Sequence, residues 1–118
     1  MPLFRLYTGA DGKSHVEPIA ITKTPDWGKG LATTQISFRE DPVGRFIDWH
    51  PAPRRQFVVT LSGESEIELE GGRKLRLGPG HILLAEDTTG QGHISRAIGS
   101  QDRLSLFITL APGAVPPR

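Results

Sequence analysis

The residues with the widest chemical range stand close together in the stretch Asp48-Trp49-His50-Pro51-Ala52-Pro53-Arg54-Arg55-Gln56. An imidazole at position 50 can ligate a metal, accept a proton, or simply end a strand as a polar residue. In an extended strand Asp48 and His50 point to one face, offering a carboxylate and an imidazole to the same space. Gln56 opens the run Gln56–Leu61, in which Gln56, Val58 and Thr60 share one face and Phe57, Val59 and Leu61 the other. An inward amide left unpaired costs ~1–3 kcal/mol. Gln56 therefore calls for a metal, a ligand or Asp48 as partner, or else serves a purely structural role. Arg54 and Arg55 fall on the intervening loop, where a guanidinium clamps a carboxylate or phosphate through paired hydrogen bonds. A solvated loop or a dimer contact is the plainer alternative for both.

A second polar cluster, Glu86-Asp87-Thr88-Thr89-Gly90-Gln91-Gly92-His93, follows an apolar run. Asp87 or Glu86 is a candidate base there. Either also suits an ion pair with Arg54 or Arg55, or a turn cap. His15 and His81 read as surface residues.

Positioning these groups requires short strands, because helical periodicity is scarce along the chain. Extended runs are expected at 3–7, 16–21, 31–38, 45–50, 56–62, 65–70, 74–77, 81–85, 93–97 and 104–110, separated by Gly- and Pro-rich turns. The 14 glycines and 10 prolines thus punctuate apolar runs, which favours an all-β sandwich or jelly roll over disorder. The clearest hairpin is Glu64–Leu77. A three-residue loop, Gly71 to Arg73, sets Leu69 opposite Leu75 and Ile67 opposite Leu77, with a glycine at positive φ. Its Glu/Lys/Arg face is a solvated ladder. Trp49 is expected to face away from His50.

With 118 residues the chain suits one domain. A formal net charge of +1 gives no field for nucleic acid. The absence of Cys excludes disulfides and thiolate metal sites. No apolar run approaches the roughly 20 residues of a membrane span, and no stretch reads as a signal peptide. A cytoplasmic chain with a small-molecule partner, and neither nucleic acid nor membrane, is the expectation.

The segment Gly44–His93 resembles the cupin superfamily. Gly44, five residues, His50, then Gln56 and, six residues on, Gly63 follow the spacing of the first cupin motif. Gly78-Pro79-Gly80, the run Ile82–Ala85 and His93 follow the second. The resemblance implies a double-stranded β-helix, a jelly-roll barrel with a site inside it. Such sites commonly hold a metal through three histidines and one glutamate. Here Ala52 stands where the second histidine is expected and Gln56 where the glutamate is. The implied metal set is His50, Gln56 and His93, with Asp48 as the added carboxylate, suited to Fe, Mn, Ni or Zn. The gap at Ala52 admits a larger substrate or a water, or marks a decayed site. The resemblance thus implies a small-molecule enzyme with a weak divalent metal, His50 and His93 doing the chemistry, and Arg54, Arg55, Asp87 and Ala52 meeting the substrate. The alternatives are a metal-free isomerase or lyase with a histidine base, and a non-catalytic binding module. The expected organisation is one domain over 1–118: N-terminal strands to about 40, a barrel over about 41–111, and a flexible tail over 112–118. The N-terminal extension is expected to pair across a homodimer.

Overall fold

In the computed structural model, which describes residues 3–117, a strand overlaps each of the ten expected runs, although 19–21 and 69–70 fall outside strands. The first two residues of the N-terminal region and Arg118 of the expected flexible tail lie outside the described residues. In chain order the strands are β1 (Leu3–Thr8), β2 (Ser14–Pro18), β3 (Thr33–Asp41), β4 (Phe46–His50) and β5 (Gln56–Ser62). They continue as β6 (Glu64–Glu68), β7 (Lys74–Leu77), β8 (Ile82–Glu86), β9 (His93–Ile98) and β10 (Arg103–Leu110). Short 3₁₀ turns at Ile21–Lys23, Pro25–Gly28 and Glu70–Gly72 are the helical pieces among the described residues, and none is long or apolar enough to cross a membrane.

The strands form two sheets, ordered β2-β1-β8-β5-β10-β3 and β4-β9-β6-β7. Neighbours run antiparallel except β1 and β8. Their apolar faces meet in a jelly roll. Leu6, Val16, Val58, Ile67, Leu77 and Leu83 fill the space between the sheets. Each such buried aliphatic side chain contributes ~1.5–3 kcal/mol. The period-two alternation read along β5 holds: Gln56, Val58 and Thr60 are buried, while Phe57 and Val59 are half-buried and Leu61 is exposed.

The hairpin differs from its expected register by two residues. Leu77 pairs with Ser65 and Leu75 with Ile67. Gly71 and Gly72 both take positive φ, so the turn spreads over Glu70–Gly72 and closes through Leu69 N–H donating to the Arg73 carbonyl. A slip of two keeps every side chain on its face, so Leu69 still reaches the core. The charged ladder is rearranged accordingly. Arg76 pairs with Glu64, and Arg96 of β9 takes Glu66 and Glu68.

The segment after β10 runs back over the sheet. Arg55 donates to the Ala114 carbonyl, and Pro116 is fully buried.

Candidate functional site

The two sheets leave between them a cavity of about 360 Å³. That volume suits a small organic ligand. Of the residues singled out in the sequence, His50, Ala52, Arg54, Gln56 and His93 line it.

His50 and His93 come together because β4 and β9 pair antiparallel with these two residues opposite each other. Their ring centroids are 4.5 Å apart, with the planes inclined by 53°. Gly92, next to His93, fixes how closely the strands approach. A Cβ there would lie 1.9 Å from the His50 carbonyl oxygen, and its φ is +77°. Any side chain at 92 drives the two histidine-bearing segments apart.

Each ring is oriented from behind. His50 Nδ1–H donates to the Asp48 carbonyl at 2.8 Å. His93 Nδ1–H donates to Asp87 Oδ2 at 2.6 Å. A carbonyl oxygen can only accept, and Asp87 Oδ2 also accepts from Ser14 Oγ at 2.6 Å. Both partners therefore assign the proton to Nδ1, leaving Nε2 of each ring as the nitrogen open to a cavity occupant. Asp87 is fully buried and His93 is 6% exposed. The Asp87 Oδ1 atom is buried without a protein partner, and so is Oε1 of Gln56.

Three of the residues singled out in the sequence, Asp48, Arg55 and Asp87, are placed outside the cavity lining. Asp48 does not share the cavity with His50. Between Ile47 and His50, strand β4 carries one residue more than β9 opposite it. This bulge breaks the alternation and sends both Ile47 and His50 inward, leaving Asp48 exposed with its carboxylate accepting from Trp49 N–H. Trp49 is correspondingly 37% exposed. Arg55 does not reach the cavity either. Its guanidinium is held by Glu86 and the Ala114 carbonyl. Asp87 is not part of the cavity lining and stands behind His93, with Ser14 and His93 both donating to its Oδ2. His15 is a surface residue paired with Asp11 and stacked on Tyr7. His81 is half-buried, and its Nδ1 accepts from Gly78 N–H.

The sequence reading missed Arg39 and Arg103, which also line the cavity. Arg39 is tied to Asp41 at 3.1 Å and lies over the Phe107 ring. Arg103 is 6% exposed, and its Nη2 donates to Thr60 Oγ1 at 3.0 Å. Its Nε–H is buried without a partner. Among the described residues no carboxylate lies within ion-pair distance of it. Burial pulls its guanidinium below the usual range, to about 10, with the Asp41 charge opposing that and the Arg39 charge adding to it. The missed signal was the polar set Arg103, Ser105 and Thr109 alternating along the last strand, which places charge on an interior face.

The donor set bears directly on the metal that the sequence resemblance implies. It consists of two imidazoles and one amide, none of them anionic. No Asp or Glu lines the cavity among the described residues, whereas Arg39, Arg54 and Arg103 do. No group of three or more His, Asp or Glu side chains comes together there to hold an ion, again among the described residues. Resident sites for these cations usually gather three His or carboxylate ligands, and only two such side chains meet here among the described residues. A pocket with three guanidinium groups and no carboxylate does not fit a resident one.

No family model and no curated protein matches the chain. Solved structures do. A double-stranded β-helix protein of Klebsiella pneumoniae matches at 21% identity and TM-score 0.51, over 68% of this chain and 69% of its own. A cupin protein of Bacteroides fragilis matches at 16% identity and TM-score 0.50, over 86% and 89%. The dTDP-6-deoxy-D-glucose-3,5-epimerase of Legionella pneumophila, solved with dTDP-4-keto-L-rhamnose, matches at 13% identity and TM-score 0.50, over 92% and 66%. At these identities the likeness is one of fold.

Proposed function

We propose that this chain, which has the cupin fold, binds a small organic molecule between its sheets and moves a proton on it, as an isomerase or lyase does. His93 is the base. The observation that carries this is the hydrogen bond from His93 Nδ1–H to the buried Asp87 carboxylate. Such a bond fixes the tautomer, aims Nε2 at the occupant, and stabilises the imidazolium that forms when Nε2 takes a proton. His50 lies beside it, the ring centroids 4.5 Å apart, with its own Nδ1 engaged from behind by the Asp48 carbonyl. Ala52 leaves room above the pair, and Gln56 presents an unpaired Oε1 to any hydroxyl or amine the molecule carries. The likeness to the Legionella epimerase concerns fold alone and adds nothing to the choice of base.

The test is proton exchange in D₂O, followed by NMR on a panel of small ketones, keto acids and hydroxy ketones. Exchange is expected with the native protein and should fall by about 10²- to 10⁴-fold in His93→Gln, the range of general acid–base catalysis. Exchange that survives His93→Gln would sink the assignment. So would exchange that appears only after loading with Fe, Mn, Ni or Zn, which would restore the metal reading.

The molecule is proposed to work as a cytoplasmic homodimer that engages neither nucleic acid nor membrane. The dimer is suggested by β3, an edge strand with Ile36 62% and Phe38 67% exposed. An unpaired apolar edge of this kind invites a second strand. Ile36→Lys is expected to shift sedimentation from dimer to monomer. A native protein that sediments as a monomer at tens of micromolar would end the dimer proposal.

A further inference from the structure

The cavity has two chemically different ends. Along β5, Gln56, which lines the cavity together with both histidines, and Thr60, bonded to Arg103, are four residues apart. That is on the order of 13 Å of strand. Val58, Ile67, Leu83 and Phe107 line the space as its apolar part. Among the described residues, the buried Arg103 cation bonds through its side chain to a neutral hydroxyl, and its Nε–H is unpaired. Asp41, the nearest candidate counter-charge, is already engaged by Arg39 at 3.1 Å and Arg45 at 2.7 Å. A buried guanidinium without an anion is costly, and buried charges are ordinarily paired.

Resting on the barrel as a small-molecule site, we infer that its substrate is a carboxylate whose anionic group seats on Arg103 and whose reacting carbon lies one apolar spacer away, at His93. The planar guanidinium matches a carboxylate through paired N–H donors. One unpaired cation at the deep end suits a single negative charge better than a phosphate dianion. The spacer explains why aliphatic and aromatic side chains separate the two polar ends. Arg54, by contrast, is exposed at the mouth.

The test uses acetate as the anion probe, acetamide as its neutral isostere, hexanoate as the longer acid and inorganic phosphate as the dianion. The readout is the side-chain Nε–H resonance of Arg103 in ¹H–¹⁵N NMR, backed by thermal shift. Acetate is expected to move that resonance saturably, hexanoate to do so at lower concentration, and acetamide to leave it in place. Arg103→Met should raise the acetate midpoint in the thermal assay at least tenfold, and Arg103→Lys should recover part of the loss. His93→Gln should keep the acetate response, so failure of the base assignment leaves the anion seat standing. An equal response to acetamide overturns the inference while leaving a neutral-ligand barrel intact. A phosphate midpoint below that of acetate, an acetate response that survives in Arg103→Met, or no saturable shift in the native protein overturns it as well.

Discussion

Asp87→Ala is expected to lower stability by about 2–4 kcal/mol, read in urea as a fall in midpoint at unchanged slope. The size follows from what the carboxylate serves. Ser14 Oγ and His93 Nδ1 both donate to Asp87 Oδ2, and both residues are buried. Removing the acceptor strands two donors away from water, at ~1–3 kcal/mol each. Relief of the unpaired Oδ1 atom offsets part of this. Asp87→Asn separates stability from chemistry. It preserves the shape and costs far less, because the amide oxygen can take the place of Oδ2 and accept from both donors. What it removes is the negative charge behind the ring, so an imidazolium at His93 is no longer stabilised. Proton exchange in D₂O should therefore fall in Asp87→Asn while the imidazole ¹⁵N shifts of His93 keep their order and the fold holds. A stability change within about 0.5 kcal/mol for Asp87→Ala, typical of surface substitutions, would show that the network is not structural.

Much of this arrangement is legible in the chain itself. Period-two alternation placed Gln56, Val58 and Thr60 on one face, and Gly-rich punctuation separated ten strands. Both signals are local, and both rest on burial that strongly penalises the wrong face. The bulge in β4 is different. Nothing in Ile47-Asp48-Trp49-His50 marks an extra residue, because the bulge is set by pairing with β9, so strict alternation misplaced Asp48. The hairpin register erred in a milder way. A slip of two is invisible to the hydrophobic pattern, and the tandem glycines decided it. Asp87 was legible as a polar residue near His93 but not as its support, because Ser14 arrives from a strand 73 residues away. Arg103 was missed since a lone arginine at a strand end ordinarily reads as surface. Only the closed barrel, with Asp41 already taken by Arg39 and Arg45, turns it into an unpaired interior cation.

That same unpaired charge sets the second large expectation: Arg103→Met stabilises the empty protein, by about 1–3 kcal/mol at pH 7. Arg103 is a base whose value in the fold, about 10, lies well below the usual guanidinium range. The fold therefore disfavours its charged form. The penalty is in full force below about pH 10 and fades as pH rises from there. A gap of that size corresponds to about 3 kcal/mol at most. Methionine fills comparable space without a charge, so the penalty is removed while the stem's packing is largely kept. Thr60 Oγ1, which loses its donor, sets the lower end of the range. Urea titration in the absence of ligand should show the higher midpoint in the variant, and the difference should shrink above pH 10. A saturating carboxylate should then reverse the order, since binding to the folded state alone stabilises the native protein and leaves the variant unmoved. A less stable variant without ligand would mean that the barrel already satisfies Arg103, and its charge would no longer call for a bound anion.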